Sequence, residues 1–280
     1  LPERHLGLVP YQEHPRVQAS LGFLADLAEK HIDLDRVWEI ARSAPALPEI
    51  STDPWLVPIT NSQSNVRIGV IRDSAFQFYY PENLEALERL GARLVIFSSL
   101  EARRLPAVDA LYLGGGFPET HAEILADNKG LRTDILSASR AGLPIYAECG
   151  GLMFLGRSLT LQDRSFPMAG VFPVDFCLER KPRGHGYTVV CPDRENPFFK
   201  PGETLVGHEF HYSRPMAYDP DSLNLIFKME RGQGFDQRRD GLLSQNTLGT
   251  YTHLHALGTT KWAKALVQLA IERRGRGAHA

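Results

Sequence analysis

Between Val66 and Leu155, short runs of branched and aliphatic residues alternate with longer amphipathic stretches, and this alternation limits the fold more than any other feature of the chain. VRIGVI (66–71) reads as a buried strand, and RLVIF (93–97), ALYL (110–113) and LPIYAE (143–148) as three further strands. Between them, PENLEALERL (81–90) reads as a helix with Pro in its first turn and Gly91 at its end. Residues 119–141 form a helical stretch broken near Asn128, and LMFLGRSL (152–159) reads as a helix after the fourth strand. Strand–helix alternation predicts an α/β fold with a parallel sheet and helices on both faces. In such sheets ligands meet the carboxyl ends of the strands. From Phe166 onward the pattern turns strand-rich and meandering, which predicts antiparallel strands added to that sheet. A last helix is expected over 261–273, with Trp262, Leu266, Leu269 and Ala270 on one side.

Upstream the pattern differs. Residues 16–30 place Val17, Leu21, Leu24 and Ala28 on one helical face, and Asp33 is set to cap a second helix, LDRVWEIAR (34–42). Pro45, Pro48, Pro54 and Pro58 then punctuate a stretch without apolar period. We therefore expect a helical segment (1–43), a linker (44–65) and a larger domain (66–280). The charge balance, 31 Lys plus Arg against 33 Asp plus Glu, leaves no electrostatic case for a nucleic-acid partner. No apolar run approaches the ~18 residues a membrane span needs. LPERHLGLVP lacks the apolar core of a secretory signal, and three cysteines do not make a disulfide framework. A cytoplasmic catalytic or ligand-binding protein is expected, with no membrane partner.

Cys149 is the most informative residue for chemistry. A nucleophile must project from a sharp strand-to-helix turn, where free N–H groups favour thiolate and bind an oxyanion. Ala147-Glu148-Cys149-Gly150-Gly151 supplies small residues around such a turn. A small buried cysteine capping a strand is the competing reading, and spacing alone leaves both open. Gly114-Gly115-Gly116 ends the preceding strand and lets backbone approach a ligand, or is a plain turn. A thiolate needs a base, and TYTHLH offers His253 and His255, which alternate on a strand so that only one can face Cys149. The other paired histidines, His208 and His211, lie in a different segment without a CxxC, so no metal site is expected.

RDSAFQFYYPENL, LYLGGGFPE, YAECGG, KPRGHGY, GHEFHYS and YTHLH occur in this order. Together they resemble the C-terminal glutamine amidotransferase domain of the cobyrinate a,c-diamide synthase family, over about residues 66–272. LPERHLGLVPYQE resembles the last strand of that family's N-terminal ATP-dependent amidoligase domain. The resemblance implies a flavodoxin-like class I glutamine amidotransferase fold. It also implies that Cys149 attacks the carboxamide of L-glutamine, that His253 is the base, and that backbone at Gly115, Gly116 and Gly150 forms the oxyanion hole.

Many glutaminases of this class follow the histidine with Pro-Glu; here Leu254-His255 stands instead, which leaves the third catalytic member open. Ala147 replaces a usual Gly. Arg183, His185, His208 and His211 are candidates to meet tetrapyrrole carboxylates or a domain interface, against ordinary solvated positions. Phe78, Tyr79 and Tyr80 read as core aromatics. No GxxxxGK[ST] loop occurs in residues 1–280, so no cofactor is expected in this chain. ATP and Mg are expected to serve the amidoligase domain, which this chain is expected to lack. The expected function is glutamine hydrolysis that supplies ammonia for ATP-dependent amidation of the a,c acetate side chains of a cobyrinate- or sirohydrochlorin-type tetrapyrrole. The alternatives are a stand-alone glutaminase subunit of another amidoligase, or a non-catalytic domain that binds a tetrapyrrole or a partner. A hydrolase or chaperone with Glu148 beside the cysteine fits the turn but not TYTHLH. The residues do not decide between a monomer and a homodimer.

Overall fold

The computed structural model describes residues 3–4, 7–9, 13–47, 65–259 and 261–277. The chain divides into two compact units, 1–58 and 59–280, each described by itself. In the first, β1 (Glu3–Arg4) pairs antiparallel with β2 (Gly7–Leu8), and α1 (Val17–His31) and α2 (Leu34–Ser43) follow. Asp33 caps α2 as expected, its carboxylate accepting from the Arg36 N–H at 2.9 Å. Neither helix buries a residue; Leu21 and Leu24 of the expected apolar face are exposed, as are Val37, Trp38 and Ile40. Most of the expected linker, 48–64, lies outside the described residues.

The second unit opens with β3 (Arg67–Ile71), β4 (Phe76–Phe78), α3 (Pro81–Arg89), β5 (Arg93–Phe97), β6 (Ala110–Leu113) and β7 (Gly115–Gly116). Then come α4 (Ala122–Asp127), α5 (Lys129–Arg140), β8 (Ile145–Glu148) and α6 (Gly150–Leu155). Asn128 makes the expected break between α4 and α5. Its amide donates to Ser99 O and Ala102 O, both at 2.8 Å, while its carbonyl accepts from the Leu131 N–H.

α6 differs from the expected helix over 152–159. It starts at Gly150, stops at Leu155, and hands over through extended Gly156 to β9 (Ser158–Leu161). Pairing of β9 with two neighbouring strands outweighs the local helical pattern of LMFLGRSL. The remaining elements are β10 (Arg164–Pro167), β11 (Asp175–Leu178), β12 (Gly184–Pro192), β13 (Leu205–His211), β14 (Ser213–Ala217), β15 (Leu225–Arg231), β16 (Arg239–Ser244), β17 (Thr247–Thr250), β18 (His253–Leu254) and α7 (Lys261–Gly277).

The main sheet has ten strands, ordered β18-β13-β12-β15-β16-β17-β8-β6-β3-β5, and a second sheet has four, ordered β10-β9-β11-β14. Strands β5, β3, β6, β8 and β17 run parallel. Taken in chain order they lie 2-1-3-4-5 across the sheet, which is the flavodoxin-like order. One C-terminal strand therefore departs from the antiparallel expectation. β17 lies parallel to β8, with Thr250 opposite Glu148, and the direction first changes between β17 and β16. The tight link at Gln245 and Asn246, with Gln245 at φ 50°, forces that pair into a hairpin. The result is a mixed sheet, half parallel and half antiparallel.

Strand alternation splits the interior into two cores. Leu111 and Leu113 of β6 join Leu125, Leu131, Ile135 and Leu152 from α4, α5 and α6. Ala110 and Tyr112 of the same strand join Leu87 of α3 and Trp262 and Leu266 of α7. Helices thus cover both faces. Among the described residues, no helix is long and apolar enough to cross a membrane.

Candidate active site

The carboxyl ends of β6, β8 and β17 converge on one point. At the end of β8 the chain turns sharply, and Cys149 takes φ 47° and ψ −99°. A left-handed conformation at a residue with a Cβ costs on the order of 1–3 kcal/mol and persists only where the surroundings hold it. Here the Cys149 N–H donates to Thr250 O at 2.8 Å, and its carbonyl accepts from the Met153 N–H at 3.0 Å. Neighbouring β17 and the first turn of α6 thus lock the turn from both sides.

Glycines permit the closest approaches around this cysteine. A Cβ on Gly150 would lie 2.9 Å from Gly116 N, and one on Gly115 would lie 2.7 Å from His253 Cε1. Backbone of the β7 segment therefore lies directly against both the cysteine turn and the imidazole, a packing that side chains would prevent. Pairing with β4 holds that segment, Phe76 opposite Gly116 and Phe78 opposite Gly115.

His253 is buried, hydrogen-bonds to the Cys149 side chain, and has Nδ1 3.4 Å from Glu148 Oε2. Burial alone would favour the neutral ring. The hydrogen bonds to Cys149 and Glu148, with their negative charges, outweigh it and push the imidazole up to about 10. Opposite His253 on β13 sits His208, and the two rings stack with centroids 4.9 Å apart and 19° between planes. Burial, reinforced by the positive His253, pushes His208 down to about 4. The two stacked imidazoles are thus shifted in opposite directions.

Glu148 is buried, its Oε1 accepting from the Leu254 N–H at 3.1 Å and its Oε2 from the Tyr112 hydroxyl at 3.3 Å. Asp240, also buried, holds the turn that leads to His253. It accepts from Thr250 Oγ1 at 2.7 Å and from the Tyr251 N–H, Thr252 N–H and Thr252 Oγ1, each at 3.0 Å. Sequence reasoning met Glu148 only in a rival reading, beside the cysteine, and did not single out Asp240 at all. The available signal was an acidic residue closing an otherwise apolar strand, IYAE, and another opening DGLL.

His255 points away from the cysteine, edge-on to Tyr80 at 4.4 Å and with Nε2 3.5 Å from Glu82. Of the further candidates, the structure brings only His208 to the Cys149–His253 pair. His185 is exposed against Phe210, with centroids 4.6 Å apart. Arg183 is exposed, its N–H donating to His211 O at 2.8 Å. His211 is buried, stacked on Tyr251 at 3.7 Å, with Nδ1 donating to Ser213 O and Nε2 near Glu209. Of the three expected core aromatics, Tyr79 is half-buried and packs against the core, its hydroxyl accepting from the Gly114 N–H at 2.8 Å. Phe78 is exposed and Tyr80 half-buried, so neither belongs to the core. Tyr80 lines a cavity of about 670 Å³ with His185, Tyr187, His208, His253 and His255. Among the described residues, no group of three or more His, Cys, Asp or Glu is placed to hold a metal ion.

Residues 67–261 match the CobB/CobQ-like glutamine amidotransferase domain. The cobyrinate a,c-diamide synthase of Archaeoglobus fulgidus is 42% identical over 274 residues, which covers 98% of this chain and 58% of that protein. The cobyrinate a,c-diamide synthase of Magnetococcus marinus is 38% identical over 274 residues, covering 97% of this chain and 58% of that protein. The chain thus spans a little under three fifths of these relatives' length. Among solved structures, a Thermoplasma acidophilum protein described as a candidate GMP synthase component superposes with a TM-score of 0.55 at 17% identity. That match covers 76% of this chain and 98% of the other, and at such identity it speaks to the fold alone. An α/β fold with a flavodoxin-like strand order, a strained cysteine turn against a buried histidine, and a family match over most of the second unit agree: the chain belongs to the CobB/CobQ-like glutamine amidotransferase domain family.

Proposed function

We propose that the second unit hydrolyses L-glutamine and that the ammonia serves ATP-dependent amidation of carboxylates on a cobyrinate-type tetrapyrrole, in the cytoplasm. The observation that carries the first half is geometric: Cys149 sits in a left-handed turn beside buried His253, whose Nδ1 lies 3.4 Å from Glu148 Oε2. The thiolate of Cys149 attacks the amide carbon of glutamine, and backbone at Gly115, Gly116 and Gly150 holds the resulting oxyanion. His253 gives its proton to the leaving nitrogen, ammonia departs, and a glutamyl thioester remains. The now neutral imidazole takes a proton from water, whose oxygen attacks the thioester and releases glutamate. His208, kept neutral, does not compete as a proton donor.

The second half is supported by the names of the relatives, cobyrinate a,c-diamide synthases that this chain matches over part of their length. ATP and Mg²⁺ would act in an amidoligase domain working with this one, activating the acceptor carboxylate that ammonia attacks. The test measures glutamate release from glutamine, then ADP and amide formation with tetrapyrrole acids in a protein carrying both domains. Cys149→Ala should abolish glutamate release and glutamine-dependent amidation while leaving amidation from ammonium salts. Glutamate release that survives Cys149→Ala would overturn the assignment.

A further inference from the structure

We propose that Glu148 is the positioning residue that orients and charges His253, so that carboxylate and nucleophile are successive residues at one strand end. The proposal rests on the reading of Cys149 and His253 as nucleophile and base. The position where related glutaminases carry their orienting Glu is His255 here, and that ring is turned toward Tyr80 and Glu82. Glu148 fills the gap from the opposite strand. Its Oε2 lies 3.4 Å from His253 Nδ1, while Cys149 engages the same imidazole. Its Oε1 accepts from the N–H of Leu254, so a single carboxylate grips both the ring of the base and the backbone just after it.

Burial makes this arrangement demanding. Glu148 is 1% exposed, and among the described residues His253 is the sole cationic side chain at ion-pair distance from it. A buried carboxylate without a cation is costly, so its charge and that of the imidazolium support each other. The groups facing the pair are few. Cys149 comes from the turn, His208 from β13, and Tyr112 and Tyr146 flank the carboxylate from β6 and β8. Tyr80 lies behind His208, its hydroxyl 3.3 Å from His208 Nδ1. Of these groups, Cys149 and Glu148 are the ones that raise the imidazole.

A merely structural Glu148 would tie β18 to β8 through Leu254 and leave the imidazole's titration alone. The experiment follows the His253 ring by NMR across pH, in the protein as it stands and in Glu148→Gln and Glu148→Asp, alongside the pH profile of glutamine hydrolysis. Unsubstituted His253 should keep its proton up to about 10. Glu148→Gln should lower that titration by about one pH unit or more and move the basic limb of kcat/KM down with it. It should reduce kcat about tenfold or more, with KM for glutamine within about twofold. Glu148→Asp keeps the charge at shorter reach and should recover part of both. If Glu148→Gln does not fold, Glu148→Asp carries the same comparison, and an unsubstituted His253 that titrates near 6.5 overturns the proposal directly. A folded Glu148→Gln protein with unchanged titration and profile also overturns it. The NMR titration needs no glutamine. A shift on Glu148→Gln in a protein that releases no glutamate would sink the glutaminase reading and leave this one standing.

Discussion

His253 and His208 illustrate how two identical side chains acquire opposite properties. Both start from an ordinary value of 6.5; contacts with Cys149 and Glu148 raise one against its burial, while burial and a positive neighbour lower the other. The consequence for stability has a definite sign at each side. The raised His253 contributes stability that is complete below 6.5 and lost as pH rises toward about 10. The lowered His208 contributes stability that is complete above 6.5 and lost as pH falls toward about 4. Urea denaturation from pH 4 to 10 should therefore show an optimum near 6.5. His208→Phe keeps a flat ring against His253 and should flatten the acid side alone. An acid side unchanged by that substitution would show that His208 is not the group responsible.

At the scale of elements, the site depends on three short connections and not on any long helix. The turn after β8 carries Cys149, β7 brings backbone against it, and residues 250–252 lead from β17 into β18 with His253. Asp240 governs the last of these through four hydrogen bonds, all to Thr250, Tyr251 or Thr252. Asp240→Ala strands those buried donors and should cost about 2–4 kcal/mol in urea denaturation. Its effect on glutamine hydrolysis should fall on kcat, because the turn it holds sets the imidazole. A loss of stability below about 0.5 kcal/mol, the range of ordinary surface changes, would mean the turn is held by other means.

At the scale of the whole molecule, strongly periodic elements were legible and long-range pairings were not. VRIGVI, ALYL and IYAE announce buried parallel strands because each is largely apolar on both faces, whereas RLVIF, with the same pattern, forms the edge strand β5 and buries no residue. PENLEALERL announces its helix through Pro81 and Gly91. The Cys149 turn was legible because small residues after a buried strand have few other uses. The parallel course of β17 was hidden, since a hairpin with β16 leaves its other edge free to pair with β8 in a way local pattern does not encode. The partner of Glu148, and Asp240 altogether, were hidden for a related reason: a lone carboxylate in a strand declares a partner but not which one. In the first unit, the apolar residues of α1 and α2 follow the expected helical periods, but within that unit they remain exposed.

The central claim is that Cys149 is the nucleophile of a glutaminase, and a glutamine-mimicking diazoketone tests it most directly. The chain has three free cysteines. Cys149 is buried, whereas Cys177 and Cys191 are partly accessible, so reaction governed by exposure would favour the latter two. Burial also pushes the Cys177 thiol up, which keeps it protonated. Incubation followed by peptide mass mapping should place one adduct on Cys149, with glutamine protecting it and His253→Ala slowing its formation. Adducts mainly on Cys177 or Cys191, or a Cys149 adduct that glutamine does not suppress, would contradict the account.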